Sequence, residues 1–218
     1  MKKNVIITIS RQYRSGGKEL GLKLAEYLDI SYYDKELMGQ IAAELHLSPE
    51  FFSDSNLDSR GLYSIGVPGL GLGGLTDLSV NAQMTQKARE LIQGIAQREN
   101  AVIVGRAADG LLAEDTPHIS VFVKSAMKDR VQAVMEKEKL PAFLARKRIR
   151  EMDAQRRSCC EFAGRTGWGE EQTYDVVIDL SQISEQQALD LLASMYDDKL
   201  GYTSLKGGYV NQYRADPQ

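Results

Sequence analysis

The sequence predicts an α/β fold with a mostly parallel, five-stranded sheet, and three observations support that prediction. Five short apolar runs have the pattern of buried strands, at residues 5–9, 30–33, 101–106, 118–123 and 174–179. Between these runs, apolar residues recur at the spacing of amphipathic helices. Strands that alternate with helices are joined by right-handed crossovers, which makes the sheet parallel. The chain has 218 residues, which is enough for one such domain.

The composition argues against several classes of protein. The formal net charge is −3, whereas general binders of nucleic acids or membrane surfaces carry a basic excess. No apolar run is long enough to span a bilayer, and the first residues lack the features of a secretory signal, so we expect a cytoplasmic protein. Cys159 and Cys160 are adjacent, which suits neither a disulfide nor a metal site. His46 and His118 are far apart, so we expect no metal centre built on histidine.

The segment that joins the first strand to the first helix has the layout of a phosphate-binding loop. Gly16 and Gly17 permit a close approach of the backbone to an anion, and Lys18 follows as a mobile charge at the start of the helix. The match to G-x-x-x-x-G-K-[ST] is partial, because Gln12 replaces the first glycine and Glu19 the last hydroxyl residue. The loop alone is compatible with a nucleotide site or with an ordinary turn.

The next part of the chain predicts a second strand and a segment of changed composition. Asp34 follows the strand at 30–33 and is placed either to cap a helix or to enter a ligand pocket. Glycines are frequent over residues 57–78, which predicts a mobile loop or a flap. From Val80 the helical spacing resumes, and this helix is expected to end near Asn100.

Arginines dominate the rest of the candidate site. Arg106 stands at the carboxyl end of the third strand, where an arginine is placed to bind phosphate; the alternative is a surface ion pair with Asp109 or Glu114. Helices are predicted at 127–139 and from 142 to about 165, separated by Pro141. The second carries seven basic residues: Arg146, Lys147, Arg148, Arg150, Arg156, Arg157 and Arg165. Because few carboxylates accompany these basic residues, the segment predicts a bound anion.

Six motifs occur in one order: ISRQYRSGGKEL, YYDKELM, AVIVGRAAD, RIREMDAQR, Trp168 and YDVVID. Together, from about residue 5 to residue 179, they resemble the cytidylate-kinase-like family of P-loop nucleoside monophosphate kinases. The resemblance implies a three-layer P-loop NTPase fold in a single domain over 1–218. It also implies an acceptor-binding segment at about 34–79 and a helical lid at about 141–168. The tail, 201–218, has little periodicity and is expected to be partly disordered or to pack on a partner chain.

The resemblance further implies ATP and Mg²⁺ as phosphate donor, and CMP or dCMP as acceptor. The donor would be held by Arg14, Ser15, Gly16, Gly17, Lys18 and Glu19. The acceptor would be held by Asp34, Arg106 and Asp109. The groups that act on the transferring phosphate would be Lys18, Arg106, Arg148, Arg150 and Arg156.

Several positions depart from the family pattern. Arg14 replaces a usual glycine, Asp179 replaces a common asparagine, and Cys159 and Cys160 replace a common tyrosine pair. The side chain of Arg14 would either obstruct the nucleotide or add a phosphate contact. Glu19 leaves the ligand of the magnesium ion open, since a carboxylate can bind the ion through water.

Three functions fit the sequence. The first is a kinase of a pyrimidine nucleoside monophosphate, the second a P-loop kinase of another small metabolite, and the third a regulatory protein that binds nucleotide with weak turnover. In each of them the partners are small molecules. The oligomeric state is left open.

Overall fold

The computed structural model describes residues 4–34, 39, 74–105 and 107–201, with the backbone alone at 74–84 and 162. Arg106 and most of the predicted acceptor-binding segment therefore lie outside the described residues, as does the predicted tail after Gly201. Within the described part, no helix is both long enough and apolar enough to cross a membrane.

Five parallel strands form one sheet in the order β2-β3-β1-β4-β5. The strands are β1 (Ile6–Arg11), β2 (Ser31–Tyr33), β3 (Ala101–Val104), β4 (His118–Lys124) and β5 (Val176–Asp179). The helices are α1 (Gly17–Leu28), α2 (Gly74–Arg98), α3 (Ala108–Leu111), α4 (Met127–Glu138), α5 (Ala142–Phe162) and α6 (Glu185–Lys199). The central strand is β1, so the loop that follows it lies in the middle of the carboxyl edge of the sheet.

The sheet is covered on both faces, as its apolar strands predict. Leu20, Leu24 and Leu28 of α1 pack with Leu192 of α6 on one face. On the other face, α2 packs with α3, with the end of α5 and with the segment that follows α5. The buried residues there include Ile92, Ile95, Leu111, Cys160 and Trp168. The buried side chains alternate along β1, with Ile6 on the second face and Ile7 on the first. The three-layer α/β fold is thus confirmed.

Helices α4 and α5 form a separate corner beside the sheet. Their shared core consists of Val131 and Val134 from α4 and Ala145 and Ile149 from α5. Tyr13, from the loop after β1, packs partly buried against this core. The predicted lid helix is therefore attached to the candidate phosphate-binding loop.

Most predicted boundaries lie within a few residues of the observed ones, but the start of α2 was wrong. The frequent glycines predict a loop through residues 74–78, whereas α2 begins at Gly74. Glycine is a weak helix former, and a local propensity of about 1 kcal/mol per residue is easily outweighed by the rest of a long helix. Of the helix predicted after Asp34, the described part contains Gly39 alone, which is helical.

Candidate functional site

The loop between β1 and α1 has a backbone conformation that is unusual for residues other than glycine. Gly16 has φ = 86° and Arg14 has φ = 59°, so both lie in the left-handed region. A Cβ atom on Gly17 would lie 2.7 Å from Cβ of Arg11, which explains the glycine there as a packing requirement. Among the described residues, no side chain caps α1. The N–H groups of its first turn are consequently available to an anion at the positive end of the helix dipole.

Side chains of the loop fasten it to β4. The Ser15 hydroxyl is buried and donates to the carbonyl oxygens of Gln12, at 2.9 Å, and Val123, at 3.1 Å. The Gln12 amide oxygen accepts from the Ser125 N–H at 3.3 Å. Gln12, which interrupts the usual glycine pattern, therefore anchors the loop. The hydroxyl of Ser15 shapes the loop, while the predicted phosphate contact at Ser15 stays a prediction.

Lys18 and Asp34 meet at the carboxyl edge. Lys18 Nζ lies 2.9 Å from Asp34 Oδ2, and the Asp34 side chain is only 10% exposed, whereas that of Lys18 is 49% exposed. The Tyr32 hydroxyl lies 3.5 Å from the same oxygen. Burial raises the pKa of Tyr32 to about 12, and the Asp34 charge adds to the rise, which Lys18 and Arg11 oppose. Asp34 is thus a mostly buried carboxylate in contact with the loop lysine, while the helix turn that it would cap lies outside the described residues.

Arg11, which the sequence analysis did not select, also lies at this edge. A Cβ atom on Gly105 would lie 2.1 Å from Arg11 Nη1, so the guanidinium crosses the end of β3, where Gly105 has the left-handed φ of 88°. Arg11 ends the central strand. Arg106 is predicted as a site residue because it is an arginine at the carboxyl end of an inner strand. The same criterion applies to Arg11.

A buried ion pair attaches the loop to the α4–α5 corner. The Asp153 carboxylate accepts from the Tyr13 N–H at 2.6 Å and from Arg130 Nη1 at 2.7 Å. Arg130 Nη1 also lies within hydrogen-bond distance of the Tyr13 carbonyl, at 3.2 Å. The Arg130 side chain is 4% exposed and that of Asp153 is 17% exposed. Both polar groups of the Tyr13 backbone are therefore held by α4 and α5.

The three lid arginines predicted to act on phosphate have different surroundings. Arg156 Nη1 donates to the Arg11 carbonyl at 3.1 Å and its guanidinium lies 5.3 Å from the centre of the Tyr13 ring. Arg148 Nε is 3.8 Å from a carboxylate oxygen of Glu138. Arg150 is exposed and has no ion pair among the described residues. Arg156 is therefore the one that the fold brings to the loop itself.

Glu138, at the end of α4, collects three groups. Its Oε1 accepts from the Tyr13 hydroxyl at 2.5 Å and from Arg14 Nη2 at 2.9 Å, and Arg148 approaches Oε2. The Arg14 guanidinium also lies 5.0 Å from the centre of the Tyr13 ring. Burial alone would raise the pKa of Glu138, but the hydrogen bonds from Tyr13 and Arg14 outweigh it and lower the pKa. Arg14 is thus directed toward the α4–α5 corner.

Asp109, predicted to bind the acceptor, lies in a closed environment. Its side chain is 2% exposed, and Arg165 Nε lies 3.0 Å from Oδ2 but out of line for a hydrogen bond. Burial raises the pKa of Asp109 more than Arg165 lowers it. Arg165 donates to the Thr173 carbonyl and lies over the Tyr174 ring. Among the described residues, a cation paired with Asp109 is thus Arg165. Arg106, the partner considered from sequence, lies outside them.

Several smaller predictions can be compared with the structure. Asp179 accepts from the N–H and the hydroxyl of Ser181, a turn that asparagine can also make, and these contacts lower its pKa. Cys159 and Cys160 are free thiols. Glu19 is exposed in the first turn of α1. Among the described residues, no group of three or more His, Cys, Asp or Glu is placed to hold a metal ion.

Comparisons with known proteins found relatives that cover most of the chain. The chain is 22% identical to a cytidylate kinase of Methanopyrus kandleri over 198 residues, which cover 90% of the chain and 95% of the relative. A solved structure of an uncharacterized protein from Eubacterium ventriosum has a TM-score of 0.64 at 25% identity, covering 89% of this chain and 99% of that one. TT1252 from Thermus thermophilus has a TM-score of 0.50 at 18% identity, with coverage of 90% and 98%, and shares the fold.

The family assignment follows from a match over most of the chain. Residues 6–182 match the model of the cytidylate kinase-like family, a span that runs from the first residue of β1 to just beyond β5. The matched region includes the phosphate-binding loop, all five strands and the arginine-rich helix α5. With its P-loop α/β fold, the chain belongs to the cytidylate kinase-like family and is a kinase-type phosphotransferase.

Proposed function

We propose that the protein transfers a phosphoryl group from ATP to a nucleoside monophosphate, with CMP or dCMP preferred. One observation carries the proposal: an uncapped helix N-terminus with Lys18 follows the central strand, and arginines of α5 lie beside it. Such transfer needs positioning and neutralisation of negative charge more than covalent chemistry by the protein. The preference for cytidine nucleotides is supported by the family and by the relative described as a cytidylate kinase.

The donor phosphates would be held by the loop and the start of α1. The backbone N–H groups around Gly16 and Gly17 would bind the phosphate oxygens, and Lys18 would leave Asp34 to neutralise them. Arg14 lies on this loop with its guanidinium on Glu138, which supports a role beside the phosphates instead of across them. The uncapped helix and the left-handed conformations of Arg14 and Gly16 thus suit a nucleoside triphosphate.

The lid arginines would neutralise charge on the transferring group. Arg156 is already fixed against the end of β1, while Arg148 lies 3.8 Å from Glu138 and Arg150 is exposed, and these two would swing toward the phosphates. Family membership implies Mg²⁺ together with ATP. Because the described residues offer no three-ligand cluster, the ion would be held mainly by phosphate and water, with Glu19 or Asp34 as an outer ligand.

A monophosphate acceptor suits this site because it needs no strong base. The second pKa of a phosphate monoester is about 6, so its attacking oxygen is largely ionised at neutral pH. Arg106 is the residue that we propose for the acceptor phosphate, with Asp34 and Asp109 on the acceptor side. Asp109 would act through Arg165, since its own side chain is almost fully enclosed.

A second candidate is transfer to a hydroxyl of another small metabolite. One observation favours it: Asp34 is a mostly buried carboxylate, 2.9 Å from the loop lysine, where a base for a hydroxyl acceptor would be useful. The two candidates differ in their need for that base, which makes them separable by experiment.

The test is ATP consumption with a panel of acceptors: CMP, dCMP, UMP, AMP, GMP and hydroxylated metabolites. We expect turnover to depend on the acceptor and to be fastest with CMP or dCMP. The control is Lys23→Ala, which removes an exposed lysine about one and a half turns further along α1 that pairs with Glu185. Turnover only with a hydroxylated metabolite would replace the first candidate by the second.

Asp34→Asn provides the sharper comparison. General base catalysis contributes about 10²- to 10⁴-fold, so a hydroxyl acceptor should lose at least about 10²-fold in kcat. A monophosphate acceptor should lose much less. Tight ATP binding without turnover on any acceptor would instead support a regulatory protein that binds nucleotide.

A further inference from the structure

We infer that Glu138 is a positioning residue of the phosphate-binding loop, which holds Arg14 in the left-handed conformation that the loop adopts. The inference rests on the proposed function, because its main consequence is for nucleotide binding at that loop. Glu138 lies outside the loop, at the far end of α4, and is not among the predicted site residues.

The need for such a residue arises from the backbone of Arg14. Its φ of 59° places it in a region that residues with a Cβ atom disfavour roughly tenfold. Arginine lacks the short side chain with which asparagine or aspartate stabilises that conformation locally. Something outside the residue must therefore hold it there.

The contacts of Glu138 supply that restraint. The Arg14 guanidinium is pinned at 2.9 Å to Oε1 of Glu138, and its side chain is 22% exposed. The Tyr13 hydroxyl donates to the same oxygen at 2.5 Å, and the Tyr13 ring lies beneath the guanidinium. A charge-assisted hydrogen bond that is also enclosed is among the stronger polar contacts in a protein. The far end of the Arg14 side chain is thus fixed by a rigid helix, which restricts the backbone at its near end.

The location of Glu138 makes the restraint relevant to the lid. Lys139, which follows, ends α4 with φ = 56°, and α5 begins at Ala142. Arg148 of α5 also approaches Glu138. One carboxylate therefore connects the loop to the turn from which the lid helix starts, so the shape of the loop depends on that turn.

The experiment is a double-mutant cycle with ATP affinity as the readout. The variants are Glu138→Ala, Arg14→Gly and the double variant, with Glu136→Ala as the matched control. Glu136 lies on the same helix, is exposed and accepts from Gln132. We expect Glu138→Ala to weaken ATP binding about tenfold, because the left-handed conformation is no longer held. In the Arg14→Gly background, where glycine adopts that conformation unaided, the same change should alter affinity by less than about twofold.

Further outcomes decide between positioning and other roles. Glu138→Gln, which keeps an oxygen acceptor, should lose less affinity than Glu138→Ala, and Glu136→Ala should bind ATP like the wild type. An equal loss from Glu138→Ala in both backgrounds would overturn the inference, because the effect would not pass through Arg14. Tighter ATP binding by Glu138→Ala would also overturn it, since Glu138 would then compete with phosphate for Arg14.

Urea unfolding of the wild type, Glu138→Ala, Arg14→Gly and the double variant gives a readout that needs no nucleotide. If Arg14 and Glu138 are coupled, the unfolding equilibrium constant of the double variant should differ about tenfold from the value expected for two independent single effects. If the wild type does not bind ATP, the proposed function fails, and this coupling still decides whether Glu138 holds Arg14. Additive effects on unfolding would overturn the inference.

Discussion

The ion pair between Arg130 and Asp153 allows a strong test of how the α4–α5 corner holds the loop. Asp153→Ala removes the carboxylate that accepts from Arg130 and from the Tyr13 N–H. Arg130 is 4% exposed and would be left as a buried charge without its counter-ion. The variant should therefore unfold more easily and bind ATP more weakly, since Tyr13 belongs to the loop.

The expected loss follows from burial. Removing one partner of a buried ion pair typically costs about 3–5 kcal/mol. The Asp153 side chain is 17% exposed, so some water reaches it, and we expect a value near the lower end, about 3 kcal/mol. Asp153→Asn should lose less, because its amide oxygen still accepts one hydrogen bond.

The assay is equilibrium unfolding in urea at pH 7, with Glu151→Ala as the matched control. Glu151 lies on the same helix and pairs with Lys147 at 3.8 Å, with both side chains largely exposed. Exposed pairs at this spacing contribute about 0.3–0.5 kcal/mol, so the control should be nearly neutral. A loss below about 1 kcal/mol for Asp153→Ala would refute the reasoning, because the corner would then hold the loop by apolar packing alone.

Two further predictions concern the loop lysine and a buried thiol. Lys18→Ala should reduce kcat at least about 10²-fold, as expected for loss of charge stabilisation, with an unchanged circular dichroism spectrum. Lys23→Ala should retain activity, and near-normal turnover of Lys18→Ala would exclude the lysine from the mechanism. Burial raises the pKa of Cys160 to about 12, so at pH 8 this thiol should resist alkylation in the folded protein and react in urea. Its rapid modification in native protein, located by mass spectrometry, would contradict that environment.

The fold could be predicted from the sequence because its signals are local. The apolar run of β1 and the helical spacing of Leu20, Leu24 and Leu28 each lie within one element, and each was sufficient to place it. The phosphate-binding loop was found for the same reason, since its glycines and Lys18 are consecutive. The start of α2 was missed because glycine content was given more weight than helix length.

The partners of charged side chains could not be predicted in the same way. Arg156 donates to the carbonyl of Arg11, 145 positions away, and a backbone acceptor leaves no trace in the sequence. Asp153 and Arg130 meet only because α4 and α5 fold back on each other. The sequence therefore showed that α5 is basic and predicted an anion, but it did not reveal how much of that charge is used inside the protein.

The two sides of the loop are held differently, and this difference bears on how the two substrates would be recognised. Toward β4 and α5, the loop is fastened by Ser15, Tyr13 and Arg156 through contacts to backbone groups and a buried ion pair. Toward β3 and β2, a described contact is the ion pair between the half-exposed Lys18 and Asp34, which a bound phosphate can replace. A side of the loop that is already fixed suits the binding of ATP, whereas a side whose ion pair can exchange suits the acceptor. We therefore expect changes near Asp153 to alter ATP affinity and changes at Asp34 to alter the acceptor step. Steady-state kinetics should then separate them, with a raised KM for ATP in the first case and a raised KM for the acceptor in the second, joined by a lowered kcat if the acceptor is a hydroxyl.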